Sequence, residues 1–250
     1  MSMLRHILKK IRSLFVRPIP VFVFHHVTDT RDPLICAEED WTQTDLFKRN
    51  LMYLKRHYTF ISLQEAVKHL KHDKLRFRNY AVLTADDGLR STYELLPWLI
   101  EQNIPITLFI CPKYLDGRSY IPIDEQRVHA QFPDVDMTEV AARMFITLAQ
   151  LHSITSPLVT IASHGYAHLD ATTISEYDFE KEVMIAKNML ENHPQYEPFF
   201  AYTWGHCNAT TDSILRQLNI TPVLCDGRVN NNWRGAISRK CIDNLQIDEK

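Results

Sequence analysis

Two carboxylates lie side by side at the end of an apolar run. Asp86 and Asp87 follow residues 81–84 and precede Gly88. Adjacent carboxylates at a strand end point in different directions, so one can bind a cation while the other stays free as a base. Gly88 allows the chain to turn sharply after them. An Asp-Asp-Gly sequence is also a common turn, so this pair indicates a functional site only together with a second cluster.

Two imidazoles provide that second cluster. His164 and His168 follow the apolar residues 158–163. Side chains four residues apart lie on the same side of a helical turn and can both reach one ion. The chain has 12 histidines, so this spacing alone also arises by chance.

The position of both clusters at predicted strand ends favours a shared site. Parallel barrels collect their functional groups at the carboxyl ends of their strands. One aspartate with His164 and His168 makes a set of three ligands that leaves positions open for water and substrate. The pattern predicts a hydrolytic centre with one divalent cation. Zinc is the first choice, and Co²⁺, Ni²⁺ and Fe²⁺ are alternatives.

Other candidate site residues also end strands. His25 and His26 close the apolar residues 21–24. A hydrolase that releases an amine needs a general acid, and His25 is the leading candidate, while His26 is expected to contact substrate. Tyr202 and Trp204 close an aromatic run, and their rings could stack on a sugar.

Short apolar runs alternate with amphipathic segments, which predicts parallel strands joined by helices. Ser62 with Glu65 forms a predicted capping box, Ser175 precedes a helix that reaches about residue 192, and Thr210 or Thr211 is expected to cap another. The predicted fold is α/β, a distorted (β/α) barrel of about seven parallel strands. The predicted strands are 21–24, 81–84, 106–111, 158–163, 199–202 and 222–225.

The domain organisation follows from composition along the chain. The 250 residues suffice for one substantial core. Residues 1–17 place apolar and basic side chains on opposite faces at helical spacing, which predicts an amphipathic helix. That helix either contacts a membrane surface or packs on its own domain. Residues 18–250 form the predicted catalytic domain, with 113–156 as an inserted segment that shapes the substrate site.

Charge and cysteine content narrow the partners and the compartment. Lys and Arg number 28 against 30 Asp and Glu, so there is no overall field that attracts nucleic acid. The five cysteines are scattered without a Cys-x-x-Cys pair, which is typical of reduced thiols. Cys111 and Cys225 are expected to be buried. With no secretory signal pattern, a cytoplasmic protein is expected. If the N-terminal helix contacts a membrane surface, that surface is expected to be the cytoplasmic face of the inner membrane. The cysteines are Cys36, Cys111, Cys207, Cys225 and Cys241.

Taken together, residues 19–242 resemble the polysaccharide deacetylase family, also called the NodB-homology or carbohydrate esterase 4 family. The segment 84–88 is similar to its Thr-Phe-Asp-Asp-Gly motif, 163–168 to its Ser-His-Thr-x-x-His motif, and 200–205 to its Phe-Ala-Tyr-Pro-Tyr-Gly motif. The resemblance implies a NodB-type barrel in which Asp86 is the base and Asp87, His164 and His168 bind the metal.

The order of elements most resembles the subgroup of poly-N-acetylglucosamine and surface-polysaccharide deacetylases. There an early Tyr-His segment, similar to Phe24-His25 here, supplies the acid. Three departures stand out: Ala85 replaces Phe, Thr203 replaces Pro, and the arginine of the third motif is missing. Arg239, in a segment similar to a late Leu-Pro-Arg, is the candidate to hold Asp86 charged and oriented.

The resemblance implies removal of an N-acetyl group from an amino sugar during biosynthesis of a surface polysaccharide such as O-antigen or capsule. A nucleotide-linked or lipid-linked precursor is the expected substrate. Two alternatives stay open. One is a deformylase or O-deacetylase acting on a sugar, and the other is a non-catalytic member that binds glycan or scaffolds a complex.

Overall fold

A barrel of parallel strands organises the molecule. The computed structural model describes residues 16–30, 41–72, 75–119, 121, 128–130 and 132–247. Within them the main sheet has nine strands, and every pairing in it is parallel. The strands are β1 (Val21–Phe24), β2 (His26–Val27), β3 (Trp41–Thr42), β4 (Thr59–Phe60), β5 (Tyr80–Ala85), β6 (Ile106–Ile110), β7 (Val159–Ser163), β8 (Tyr196–Ala201), β9 (Thr221–Leu224), β10 (Ile237–Ser238) and β11 (Lys240–Cys241).

One late segment closes the barrel. The sheet order is β10-β9-β8-β7-β6-β5-β1-β11, with β4 beside the start of β5 and a separate β2-β3 pair. Because β10 pairs with β9 and the next residues, β11, pair with β1, the chain from Ile237 to Cys241 joins the two edges. Arg239 lies at the break between these two short strands. The architecture confirms the predicted distorted (β/α) barrel of about seven parallel strands.

Helices cover the strands, and side-chain caps mark where several of them begin, although α1 and α3 have none. Ser62 and Glu65 form the predicted reciprocal hydrogen bonds, and Ser175 caps the helix that follows it. The helices are α1 (Thr44–His57), α2 (Leu63–His72), α3 (Arg90–Glu101), α4 (Met137–Met144), α5 (Leu148–Ser153), α6 (Glu176–Leu190) and α7 (Ala209–Gln217).

Two predictions about local structure were wrong. Asn208, not Thr210 or Thr211, caps α7. The hydroxyl oxygen of Thr211, at the third helical position, accepts a hydrogen bond from the Asn208 backbone N–H. Asn ranks above Thr at this position. Cys225 is exposed because β9 ends at Leu224, whereas Cys111 is buried as predicted.

The core divides between the two faces of the strands. Phe22, Leu83 and Leu108 belong to a cluster that includes residues of α1 and α3. Their neighbours Val82 and Phe109 belong to a second cluster, which includes residues of α2. This alternation follows from the two-residue period of a strand and leaves the strand ends for polar side chains.

Two of the predicted segments include residues that the structure does not describe. The predicted helix at 1–17 falls almost entirely on residues that the structure does not describe, and the predicted insertion at 113–156 is described only in part. None of the described helices combines the length and apolar character needed to cross a bilayer.

Candidate metal and catalytic site

Three side chains from two strand ends meet in a buried cluster. Asp87 Oδ1 lies 3.4 Å from His164 Nε2 and 3.3 Å from His168 Nε2. Asp87 follows β5 by two residues with φ of 70°, and His168 has φ of 56°. His164 directly follows β7, but residues 164–168 form a bent loop and not the helical turn that the spacing suggested. The loop brings the two imidazoles onto one carboxylate oxygen.

Hydrogen bonds behind the cluster fix this loop. His164 Nδ1 lies 2.9 Å from the Ala201 carbonyl oxygen, so Nδ1 donates and Nε2 presents its lone pair to the cluster. Glu182 Oε2 accepts from the backbone N–H groups of Tyr166 and Ala167. The Tyr114 hydroxyl donates to the Ala167 carbonyl at 2.8 Å. Residues from three other elements therefore hold the loop in place.

The cluster fits a divalent cation. Asp87 Oδ1 is buried and has no hydrogen-bond partner among the described residues, and such an orphaned acceptor is costly unless something binds it. Ligands held at about 2.0–2.1 Å by a tetrahedral ion stand about 3.4 Å apart, close to the observed separations from Asp87 to His164 and His168.

Arg239 forms a bidentate ion pair with Asp86. Its Nη1 lies 2.6 Å from Asp86 Oδ1 and its Nη2 lies 2.8 Å from Asp86 Oδ2, a two-pronged ion pair between buried side chains. Nη1 also donates to the Thr84 hydroxyl, and the guanidinium lies over the Phe109 ring. Burial raises the pKa of Asp86, but the surrounding basic groups, Arg239 foremost, together lower it more, and the net shift is downward. Asp86 Oδ2 is 3.8 Å from His164 Nε2, so an ionised carboxylate borders the cluster of Asp87, His164 and His168.

A second acidic residue holds His25. The Nδ1 of His25 lies 2.6 Å from Asp243 Oδ2, and the backbone N–H of His25 donates to Asp243 Oδ1. Burial lowers the pKa of His25, but the hydrogen bonds and negative charge around the ring, chiefly from Asp243, together outweigh it, and the pKa is raised well above its usual value. Cys241 Sγ lies 3.0 Å from the same carboxylate oxygen. Because Nδ1 is bound to Asp243, the other ring nitrogen is left to carry a proton.

Sequence reasoning missed Asp243. Asp243 follows β11 by two residues, as Asp87 follows β5, but a two-residue strand is too short to detect from its pattern. The pairing of β11 with β1 carries Asp243 to His25, which is 218 positions earlier in the chain.

The three predicted substrate contacts have different surroundings. Tyr202 is 1% exposed and donates its hydroxyl to Asp212, and its ring packs on Phe179 and Phe200. The ring is not available to a sugar, which corrects the sequence prediction. Its backbone N–H donates to the Val223 carbonyl, so Tyr202 also supplies no free amide to the site.

Trp204 is exposed beside His168, whereas His26 is buried. Trp204 is 52% exposed with φ of 57°, and its ring meets the His168 ring edge to face at 4.9 Å. His26 is buried with Nδ1 2.6 Å from the Ser91 hydroxyl. It lines a cavity of about 260 Å³ together with Arg90 and Arg143.

The sequence profile of the family described as polysaccharide deacetylase matches residues 76–223, which contain Asp86, Asp87, His164 and His168. The chain belongs to the polysaccharide deacetylase family. Membership indicates a hydrolase, a carbohydrate deacetylase, and a carbohydrate as its substrate. A comparison with curated protein sequences gives no match.

Solved structures share the fold of this deacetylase. The deacetylase PplD of Streptococcus pyogenes, solved with acetate, is 19% identical, with a TM-score of 0.68 over 91% of this chain and 93% of that one. IcaB from Ammonifex degensii is 20% identical, with a TM-score of 0.69 over 90% and 91%. A de-N-acetylase from Aggregatibacter actinomycetemcomitans is 16% identical, with a TM-score of 0.67 over 92% and 96%.

Proposed function

We propose that this protein is a metal-dependent N-deacetylase of an amino sugar, with Asp87, His164 and His168 as the metal ligands. The observation that carries the proposal is the pairing of two different acid–base groups around one metal cluster. Asp86 is held ionised by Arg239, and His25 is held with a raised pKa by Asp243. Two groups whose environments push their pKa values apart are suited to act as base and acid.

Zinc is the first candidate for the cation because two imidazoles and a carboxylate at tetrahedral spacing suit it. When bound, such a cation polarises the amide carbonyl and lowers the pKa of water from about 15.7 towards about 7.

In the proposed reaction Asp86 removes the proton from the attacking water. Its two oxygens accept from Arg239, so the carboxylate keeps one orientation and stays ionised at neutral pH. Pre-orientation of this kind lowers the entropic cost of reaching the reacting geometry. Arg239 is a positioning residue, since it acts through Asp86.

His25 then protonates the departing amine. Its Nδ1 donates to Asp243, so the proton for the leaving group resides on Nε2. The raised pKa keeps the imidazole protonated near neutral pH, as a general acid requires. Acetate and a free amino sugar leave the site.

Two features of the structure support a sugar that carries a phosphate. Trp204 exposes a ring next to His168, and such rings stack on the apolar face of a pyranose. The cavity that His26 lines contains two arginines, Arg90 and Arg143, and one carboxylate, Glu94, and arginine suits phosphate recognition. We therefore propose a nucleotide-linked or lipid-linked precursor of a surface polysaccharide as substrate, acted on in the cytoplasm with peripheral contact to the inner membrane.

The test compares acetate release with metal content in purified variants. We expect Asp86→Asn to abolish turnover while one metal ion stays bound, and His164→Ala to lose both. Asp116→Asn is the matched control because this carboxylate lies in an exposed turn bonded to its own loop. Wild-type acetate release by Asp86→Asn would overturn the assignment of the base.

The substrate panel tests the acyl group and the carrier. It contains N-acetyl, N-formyl and O-acetyl sugars, each free, nucleotide-linked and lipid-linked, and products are followed by mass. We expect a loss of acetyl from the phosphate-bearing N-acetyl sugars. Release of formate only, release from esters only, or binding without turnover would each overturn N-deacetylation.

A further inference from the structure

A second group of potential metal ligands lies at the end of β11. His25, Cys241 and Asp243 each offer one ligand atom, and these atoms all lie within 4.8 Å of one another. Asp243 Oδ2 is shared, because His25 Nδ1 lies 2.6 Å from it and Cys241 Sγ lies 3.0 Å from it. The backbone N–H of His25 binds the other carboxylate oxygen, so Oδ2 is fixed towards the thiol and the imidazole.

The chemistry of the group suits a borderline-soft divalent cation. A thiolate, an imidazole and a carboxylate are all zinc ligands, with zinc–sulfur distances near 2.3 Å and zinc–nitrogen distances near 2.0 Å. Tetrahedral coordination would place nitrogen and oxygen about 3.4 Å apart, so His25 and Asp243 must separate by a little under one ångström from their 2.6 Å contact. The imidazole side chain is 23% exposed.

The group is open to solvent on the thiol side. Cys241 is exposed, whereas the Asp243 side chain is only 4% exposed. An ion can therefore arrive at the thiol first and then reach the buried carboxylate oxygen. Water would complete its coordination from the exposed side.

We propose that His25, Cys241 and Asp243 form a second, inhibitory site for zinc or a similar cation. Binding displaces the thiol proton and the proton that His25 Nδ1 donates to Asp243, and both protons go to solvent. An imidazole that coordinates a cation through Nδ1 is neutral and keeps its one proton on Nε2. It is no longer an imidazolium, so it cannot act as an acid near neutral pH. The inhibition rests on the proposed role of His25, whereas the binding does not.

Cobalt absorption distinguishes the two sites without measuring activity. The cluster of Asp87, His164 and His168 contains no sulfur, so Co²⁺ bound there gives no thiolate-to-metal band in the near ultraviolet. We expect that band to grow during titration of the wild-type protein and to disappear in Cys241→Ser. Cys225→Ser is the matched control, since Cys225 is also exposed and belongs to neither ligand group; it should keep the band.

The inhibition is measured by acetate release in excess zinc, with each variant referred to its own rate at one equivalent of metal. We expect Cys241→Ser to need at least about tenfold more zinc for half inhibition, because one of three ligands is weakened, and Cys225→Ser to match the wild type. An unchanged band in Cys241→Ser, or no band in the wild type, would overturn the site. A band lost in Cys241→Ser with unchanged zinc inhibition would overturn the inhibitory role alone, and absence of acetate release under all conditions would count against the proposed function while the cobalt result still stands.

Discussion

Replacing Arg239 with Met should expose the cost of leaving Asp86 buried and unpaired. Both oxygens of Asp86 bond to Arg239, and the two side chains are 5% and 1% exposed. Methionine keeps an unbranched apolar side chain beside Phe109 but removes the charge. Breaking a buried ion pair from one side costs about 3–5 kcal/mol. We therefore expect a decrease of that size in the free energy of unfolding at pH 7, and a Tm lower by about 6–20 °C.

The pH dependence distinguishes this cause from poor packing. In the wild type the pKa of Asp86 is lowered, so ionised Asp86 contributes stability above its unfolded pKa, and this is lost as pH falls through the folded pKa. Without Arg239, burial raises the pKa of Asp86, and the carboxyl becomes neutral at a higher pH. The stability difference between variant and wild type should therefore be largest near neutral pH and narrow on acidification.

The assay is urea unfolding of metal-free protein over a series of pH values. Arg216→Met is the control, because Arg216 forms a largely exposed pair with Asp212 on one helix, worth about 0.3–0.5 kcal/mol. A stability loss in Arg239→Met that equals that of the control, or that stays constant as the pH falls, would refute the electrostatic reasoning.

Three further predictions concern other parts of the site. Asp243→Asn removes the charge and the charged hydrogen bond that contribute most to the raised pKa of His25, so the alkaline limb of the pH profile for kcat/KM should move to lower pH; an unmoved limb would contradict it. Gly88→Ala at φ of 74° should cost more stability in urea than Gly117→Ala at φ of 67°, because only the first β-carbon meets a neighbour, at 3.2 Å. Each of the two alanine variants places a β-carbon at positive φ, which adds about 1–2 kcal/mol of backbone strain. Trp204→Ala should raise KM by about 2–10-fold with kcat retained, and a loss confined to kcat would contradict stacking.

Local patterns in the sequence predicted six of the eleven strands, because parallel strands buried on both faces are continuous apolar runs. The other five are two residues long and carry no such run. The prediction for β1 matches Val21–Phe24. The predicted bounds of β8 and β9, 199–202 and 222–225, differ from the observed Tyr196–Ala201 and Thr221–Leu224, since hydrogen bonding and not hydropathy decides where a strand stops. The cap of α7 was misplaced for a similar reason, because Asn208 lies outside the apolar pattern that marked the helix.

By itself the sequence determined the barrel and the clustering of Asp86, Asp87, His164 and His168, since the carboxyl ends of parallel strands must lie on one face. The tertiary structure decided what no local pattern contains. The closing segment brings Arg239 onto Asp86 and Asp243 onto His25 across more than 150 positions, and the packing of Phe179 and Phe200 takes the Tyr202 ring out of the site. These contacts depend on which distant segments pair and pack, and that is fixed only when the barrel closes.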